Sequence, residues 1–231
     1  MTWQPLSQGL QYAILSPPNI NFWGKIYAFQ IDPQFYRLEL ALAEDHKSSV
    51  TSVRQFVLLH QALLGINGGF FTPELKPIGL RITQGKIRQQ LKPTSWWGVF
   101  YTREGEPYIT AQQQFHHDQE INFAIQGGPR LLINGIIPKL KPGVAERTAV
   151  CITQQQKIVF IATERAPMTT AELATMLRTP EKDNGLNCVD ALNLDGGSST
   201  QLYANIGNFE LDIPGLSPIT DAVLVLPKQS S

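Results

Sequence analysis

At 231 residues, 42% of them hydrophobic and 16% charged, the chain carries enough apolar material for one sizeable core, which excludes a disordered polypeptide. Lys and Arg total 19, as do Asp and Glu, so a net charge of zero gives no electrostatic footprint for nucleic acid or an anionic lipid surface. No run approaches the roughly 18 apolar residues of a membrane span. Gly9 to Ser16 and Lys25 to Asp32 then read as strands, with Tyr27, Phe29 and Ile31 on one face and a turn at Asp32-Pro33. Leu38, Leu40 and Leu42 alternate in the same way, which predicts neighbouring antiparallel strands.

Ser52, with Gln55 three residues on, opens a predicted helix as a capping box. Its apolar face is Val53, Phe56, Val57, His60, Leu63 and Leu64, and Gly65 is its expected C′ residue. His60 on that stripe reads as a hydrogen-bonded core histidine. Pro77–Ile87 and Trp97–Ile109 predict hairpins around Gln84-Gly85-Lys86 and Glu104-Gly105-Glu106. Trp96 and Trp97 are read as core, the alternative being a platform for a sugar face. His116-His117-Asp118 lacks the spacing of a zinc site. Ile121–Ile125 and Leu131–Ile133 are strands, the second ending at an Asn134-Gly135 turn. Thr148–Thr153 and Lys157–Thr163 form a further hairpin, with Glu146-Arg147 just ahead of it.

A second helix starts with the capping box Thr169-Thr170-Ala171-Glu172, buries Leu173, Met176 and Leu177, and stops before Pro180. Gln201–Leu211 and Ala222–Leu226 close the chain as strands. Cys151 and Cys188 lie in apolar surroundings and are read as small core residues, with pairing between them as the alternative. No linker, low-complexity tract or repeat divides the sequence. The expectation is one α+β domain over residues 1–231, a mostly antiparallel or mixed sheet with at least two packed helices.

Three Gly-Gly pairs occur, at 68–69, 127–128 and 196–197, and each follows an apolar residue and then Asn67, Gln126 or Asp195. Two follow a strand and the first follows the predicted helix end. Asp195 stands at a strand mouth after Leu192-Asn193-Leu194, and Gly196, Gly197, Ser198, Ser199 and Thr200 supply room, N–H donors and hydroxyls. Loops of this kind gathered at one sheet edge offer an acid, two amides and several donors to one ligand.

The ordered blocks Asn67-Gly68-Gly69-Phe70-Phe71, Gln126-Gly127-Gly128-Pro129 with Asn134-Gly135, Arg147-Thr148-Ala149, the Thr170–Leu177 helix and Asn193–Thr200 resemble the phosphodiester glycosidase family, the domains similar to the lysosomal uncovering enzyme. The resemblance spans nearly the whole chain. It implies a hydrolase that removes a sugar from a sugar-1-phosphodiester and leaves a phosphomonoester, in a family whose members are typically exported or lumenal. Two places depart from the family pattern. Val150-Cys151 stands where many members have Gly, and Thr163-Glu164-Arg165-Ala166-Pro167 replaces the usual Asp-Gly loop before the second helix. Met1-Thr2-Trp3-Gln4-Pro5 lacks the regions of a secretory signal, so the compartment stays open between cytoplasmic for a complete chain and extracytoplasmic for one whose leader was removed.

Cleavage of a glycosyl–phosphate bond needs negative charge beside the anomeric carbon and positive charge beside the departing phosphate. Asp195 suits the first as nucleophile, electrostatic stabiliser or general base, and Arg147 the second through bidentate phosphate binding. Asn67 joins them as a catalytic candidate. Gly68, Gly69, Gly196 and Gly197 are expected to form an anion nest, with Gln126, Gly127, Gly128 and Ser198 to Thr200 completing substrate binding. Glu146 and Glu164 are candidate second carboxylates. No motif requires a cofactor, although Asp and Asn oxygens would suit a hard cation such as calcium. The alternatives are a glycan or sugar-phosphate binding domain without turnover and a serine-type hydrolase using Ser198.

Overall fold

The computed structural model describes residues 1–16, 24–46 and 51–228. The chain begins with strands β1 (Gln4–Ser7), β2 (Leu10–Leu15), β3 (Lys25–Ile31) and β4 (Tyr36–Leu42), then helix α1 (Val53–Leu59) and β5 (Leu64–Asn67). Two hairpins follow, β6 (Arg81–Thr83) with β7 (Lys86–Gln89) and β8 (Gly98–Arg103) with β9 (Glu106–Ala111). Next come β10 (Ile121–Gly127), β11 (Arg130–Leu132), β12 (Val144–Ala145), β13 (Thr148–Thr153), β14 (Ile158–Glu164) and β15 (Met168–Thr169). Helix α2 (Thr170–Arg178), β16 (Cys188–Asn193), β17 (Leu202–Ile206), β18 (Phe209–Ile213) and β19 (Asp221–Pro227) complete it.

Among the described residues every strand pairing is antiparallel, so the mixed alternative does not arise. One sheet runs β1-β2-β3-β14-β13-β16-β11, a second β18-β17-β5-β19-β4, and a third β7-β6-β10-β8-β9. The inner faces share one core that includes Phe29, Leu40, Ile66, Phe123, Phe160, Leu192 and Val223. Helix α2 covers the outer face of the first sheet with Leu173, Ala174 and Leu177, and α1 covers the second with Val53, Phe56 and Val57. The strand-dominated result is three sheets closing on one core, with the apolar stripes of two helices on the outside. β3 and β4 are not neighbours, contrary to the expectation, because β4 pairs with the C-terminal β19.

Three further local expectations are corrected. Helix α1 ends at Leu59, not at Gly65: Gln61 N–H bonds Leu58 O, Ala62 N–H bonds Val57 O, and Gln61 sits at φ 52°, which is a Schellman stop. Leu64 and Gly65 belong to β5, where a side chain on Gly65 would come within 2.8 Å of Leu224 and Val57. The first glycine pair therefore follows a strand, as the other two do. Trp97 is buried as expected, but Trp96 is 53% exposed. Cys151 and Cys188 are joined by a disulfide, because β13 and β16 are neighbours that bring their Cα atoms to 6.0 Å. No helix among the described residues is long and apolar enough to cross a membrane.

Candidate active site

The three glycine-pair loops meet at the ends of β5, β10 and β16. Asp195 N–H bonds Gly68 O at 3.1 Å, which joins the first loop to the third. Asn193 joins the third to the second, its N–H bonding Pro129 O at 3.0 Å and its Nδ2 bonding Gly128 O at 3.1 Å. The loops approach too closely for side chains. A Cβ on Gly127 would lie 2.8 Å from Asn193 O, on Gly128 2.5 Å from Trp97, and on Gly196 2.6 Å from Glu146 O. Gly197, at φ 61°, makes the turn into the 3₁₀ segment Gly197–Ser199.

Behind the loops lies a group absent from the sequence reading. Arg81 and Asp221 are fully buried and paired, Nε to Oδ2 at 3.1 Å. Asp221 also accepts from Gly69 N–H at 2.9 Å and from the Thr220 hydroxyl at 2.9 Å. The remaining Arg81 nitrogens donate to the carbonyls of Ile78, Gly79, Leu80, Gln126 and Phe70. This pair explains the first glycine pair, since a Cβ on Gly68 would lie 1.9 Å from Asp221 Oδ1 and one on Gly69 2.3 Å from Arg81 Nη2. The sequence signal was a lone arginine inside the apolar run Leu80-Arg81-Ile82, and an Asp immediately ahead of Ala222-Val223-Leu224.

The Gly68 and Gly69 amides are consequently not a free anion nest, because both donate to Asp221, the first to its carbonyl and the second to its carboxylate. The Gly197 amide is likewise engaged by Glu146 O at 2.8 Å. Gln126, expected to face a ligand, is fully buried; its Oε1 accepts from Leu80 and Lys92 N–H and its Nε2 donates to Lys92 O. Asn67 is also buried and bonded throughout. Its Nδ2 donates to Asp195 O at 2.7 Å, and its Oδ1 accepts from Thr148 Oγ1 at 2.7 Å and Gln201 N–H at 3.0 Å. Both side chains hold loop backbone in place.

Asp195 is partly exposed, with the Ser199 hydroxyl and the Gly196 amide near its carboxylate. Burial raises its pKa above the ordinary carboxylate value against those two groups, and the nearby Asp221 charge adds to the rise. Ser198 is exposed; its carbonyl accepts from Leu216 and Ser217 N–H. The hydrogen bonds of His60 go to Glu39 and His46, so the serine-type arrangement has no histidine partner in the described bonds. Asn193 Oδ1 and Thr200 Oγ1 are buried oxygens in this loop that have no protein partner among the described residues.

Arg147 is half-buried beside Gly196, its Cα 3.7 Å from where a Cβ on that glycine would stand. Nε donates to Met168 O at 2.8 Å and Nη2 to Gly143 O. Among the described residues no carboxylate pairs with it. Burial lowers its pKa, although an arginine stays charged. The end of β14 and the segment that follows it are its cradle. Thr163 Oγ1 accepts from Arg147 N–H at 2.7 Å and donates to Glu146, whose other oxygen accepts from Ala166 N–H at 3.0 Å. Glu164 is instead bonded by Tyr27, whose hydroxyl is pushed up to about 12 by burial and by that carboxylate.

Known proteins agree with this architecture. A structure of the zebrafish N-acetylglucosamine-1-phosphodiester alpha-N-acetylglucosaminidase catalytic domain, auto-inhibited by its pro-peptide, superposes at a TM-score of 0.71 and 16% identity, over 96% of this chain and 85% of that one. A hypothetical protein from Synechocystis superposes at 0.65 and 15% identity, over 96% and 63%. In sequence, the uncharacterized protein YigE of Escherichia coli K12 is 27% identical over 168 residues, 66% of this chain and 65% of that protein, so slightly less than two thirds of the relative is spanned. The Phosphodiester glycosidase family matches residues 60–226, which run from the end of α1 through β19 and include every candidate site residue. The chain belongs to the phosphodiester glycosidase family.

Proposed function

We propose that the chain hydrolyses the bond between an anomeric carbon and phosphate in a sugar-1-phosphodiester, releasing the sugar and leaving a phosphomonoester. The observation that carries this reading is the meeting of the three glycine-pair loops around the Asp195 carboxylate, with the backbone of Arg147, which has no carboxylate partner among the described residues, packed against Gly196 of the same loop. Asp195 opposes the positive charge that develops at the anomeric carbon as the C1–O bond breaks. The bonding electron pair leaves with the phosphate oxygen, where Arg147 binds it. A phosphate leaving group needs little protonation, so one carboxylate and one cation suffice; water supplies the hydroxyl that completes the sugar, and its remaining proton passes to the released phosphate oxygen or to solvent. The exposed Ser198 hydroxyl is the polar side chain of this loop open to substrate.

Incubation with N-acetylglucosamine-1-phosphodiesters tests this, following free sugar and phosphomonoester together. Saturable binding with no release of sugar would establish the binding-domain reading in its place. Parallel assays in EDTA and in added calcium separate any contribution of a hard cation held by Asp195 and neighbouring oxygens.

A further inference from the structure

Two histidines outside the candidate active site face one another beside α1. His60 is the C-cap of that helix, and His46 follows the short 3₁₀ turn Ala43–Asp45 after β4. Their Nε2 atoms are 3.3 Å apart, with ring centroids at 5.3 Å and planes inclined by 80°. On its other side His60 places Nδ1 2.7 Å from Glu39 Oε1. The other Glu39 oxygen accepts from Arg37 Nη1 at 2.9 Å, so Glu39 is a carboxylate that accepts from both neighbours and His60 carries its proton on Nδ1. In that tautomer the Nε2 lone pair of a neutral ring is aimed at His46.

A carboxylate that fixes the tautomer of a histidine, leaving the far nitrogen bare, is the outer-shell arrangement of histidine metal sites. The spacing fits as well. With metal–nitrogen distances of about 2.0–2.1 Å, two nitrogens on a tetrahedral ion stand about 3.3–3.4 Å apart. The His60 side chain is 22% exposed and His46 is half-buried, so an ion and its water have access.

We propose that Nε2 of His46 and Nε2 of His60 together bind a divalent transition-metal ion of the zinc type, with Glu39 orienting His60 and water filling the other positions. Among the described residues no group of three or more His, Cys, Asp or Glu gathers around one point, so the protein supplies two ligands and not a closed cage. Binding replaces the proton shared between the rings by the ion. It clamps the end of the β4 segment to the cap of α1, ahead of the strand that ends at Asn67.

The test uses the full chain without a histidine tag, stripped with EDTA and desalted. Zn²⁺ is titrated calorimetrically and Co²⁺ by its visible absorption, and melting is followed against Zn²⁺ concentration. One ion per chain is expected, with a Tm that climbs as Zn²⁺ rises. His46→Asn and His60→Asn should each weaken binding at least tenfold and remove the Tm response, and Glu39→Gln should weaken it by about 10–100-fold. His46 lies outside the helix, so its variant reports even if loss of the His60 cap unfolds the protein. The double variant His116→Asn/His117→Asn should bind as the wild type does. Unchanged affinity in His46→Asn, loss of binding in the His116/His117 variant, or no binding by the wild type at millimolar Zn²⁺ each overturns the site.

Discussion

Arg81 and Arg147 each stand against a glycine pair, and the fold treats them in opposite ways. Arg81 has no exposure, a carboxylate partner in Asp221, and five backbone carbonyls around its remaining nitrogens. Arg147 keeps part of its surface, touches two carbonyls, and has no carboxylate partner among the described residues. The two acids divide similarly. Asp221 is enclosed by an arginine, a hydroxyl and an amide, whereas Asp195 has a hydroxyl and an amide, an open side, and a pKa raised by burial. A buried charge whose partners are complete has nothing left to offer a ligand; a desolvated charge without its counterpart gains most when one arrives. One half of the site is therefore frame and the other chemistry.

The largest expected effect breaks the chemical half. Asp195→Asn should lower kcat on a sugar-1-phosphodiester by at least about 10³-fold, about 4 kcal/mol of transition-state stabilisation. The same variant should melt higher than the wild type at neutral pH. The sign follows from the raised pKa. Between the unfolded value and the higher folded one, the native protein holds a proton that the unfolded chain has lost, so this group's stability contribution fades as pH rises through the folded value. Asparagine removes that penalty. Activity has the reverse slope, because the ionised form is the working one: kcat/KM should fall with acid at a pH above the usual carboxylate range. Full activity in Asp195→Asn would remove it from the reaction.

The frame breaks differently. Asp221→Asn leaves Arg81 as an uncompensated buried charge and should cost about 3–5 kcal/mol in urea unfolding. A stability within error of the wild type would show that the pair is not what holds the loops.

How far each half was legible in the sequence follows the same division. The strands, both helix starts and the meeting of the three loops were readable because alternation, caps and the recurring Asn/Gln/Asp-Gly-Gly context are local. The Thr169 capping box forms in full, whereas Ser52 forms half of one, Gln55 reaching Thr51 N–H instead of the cap residue's own amide. What was illegible depends on long-range pairing. Gly65 looks like a helix stop until β17 and β19 claim Leu64–Asn67 as a strand. Arg81 and Asp221 are 140 residues apart, and nothing local marks them as partners. The supposed nest at Gly68-Gly69 failed for that reason, since its amides had been promised to an acid that the sequence does not place there. The Cys151–Cys188 bond likewise depends on β13 and β16 being neighbours.

Two smaller effects sharpen the contrast. Arg147→Ala should lower kcat/KM for a phosphodiester by about 10²-fold, about 2.7 kcal/mol, and leave a neutral aryl glycoside of the same sugar nearly unaffected. Equal losses on both substrates would remove the phosphate role.

Thr163→Val tests the cradle beneath that arginine. The threonine is 1% exposed, and its hydroxyl accepts from Arg147 N–H while donating to Glu146. Valine keeps the shape and leaves both partners unpaired, so the expected stability loss is about 1–3 kcal/mol. Released on one side, the Arg147 backbone can shift, yet the guanidinium still has Met168 O and Gly143 O to hold it. The kinetic effect should therefore be a few-fold rise in KM for the phosphodiester with kcat nearly kept, and no change for the aryl glycoside. A loss that falls equally on both substrates would mean that the segment Thr163–Pro167 supports the Asp195 loop through Glu146, whose carbonyl holds the Gly197 amide, and not the arginine.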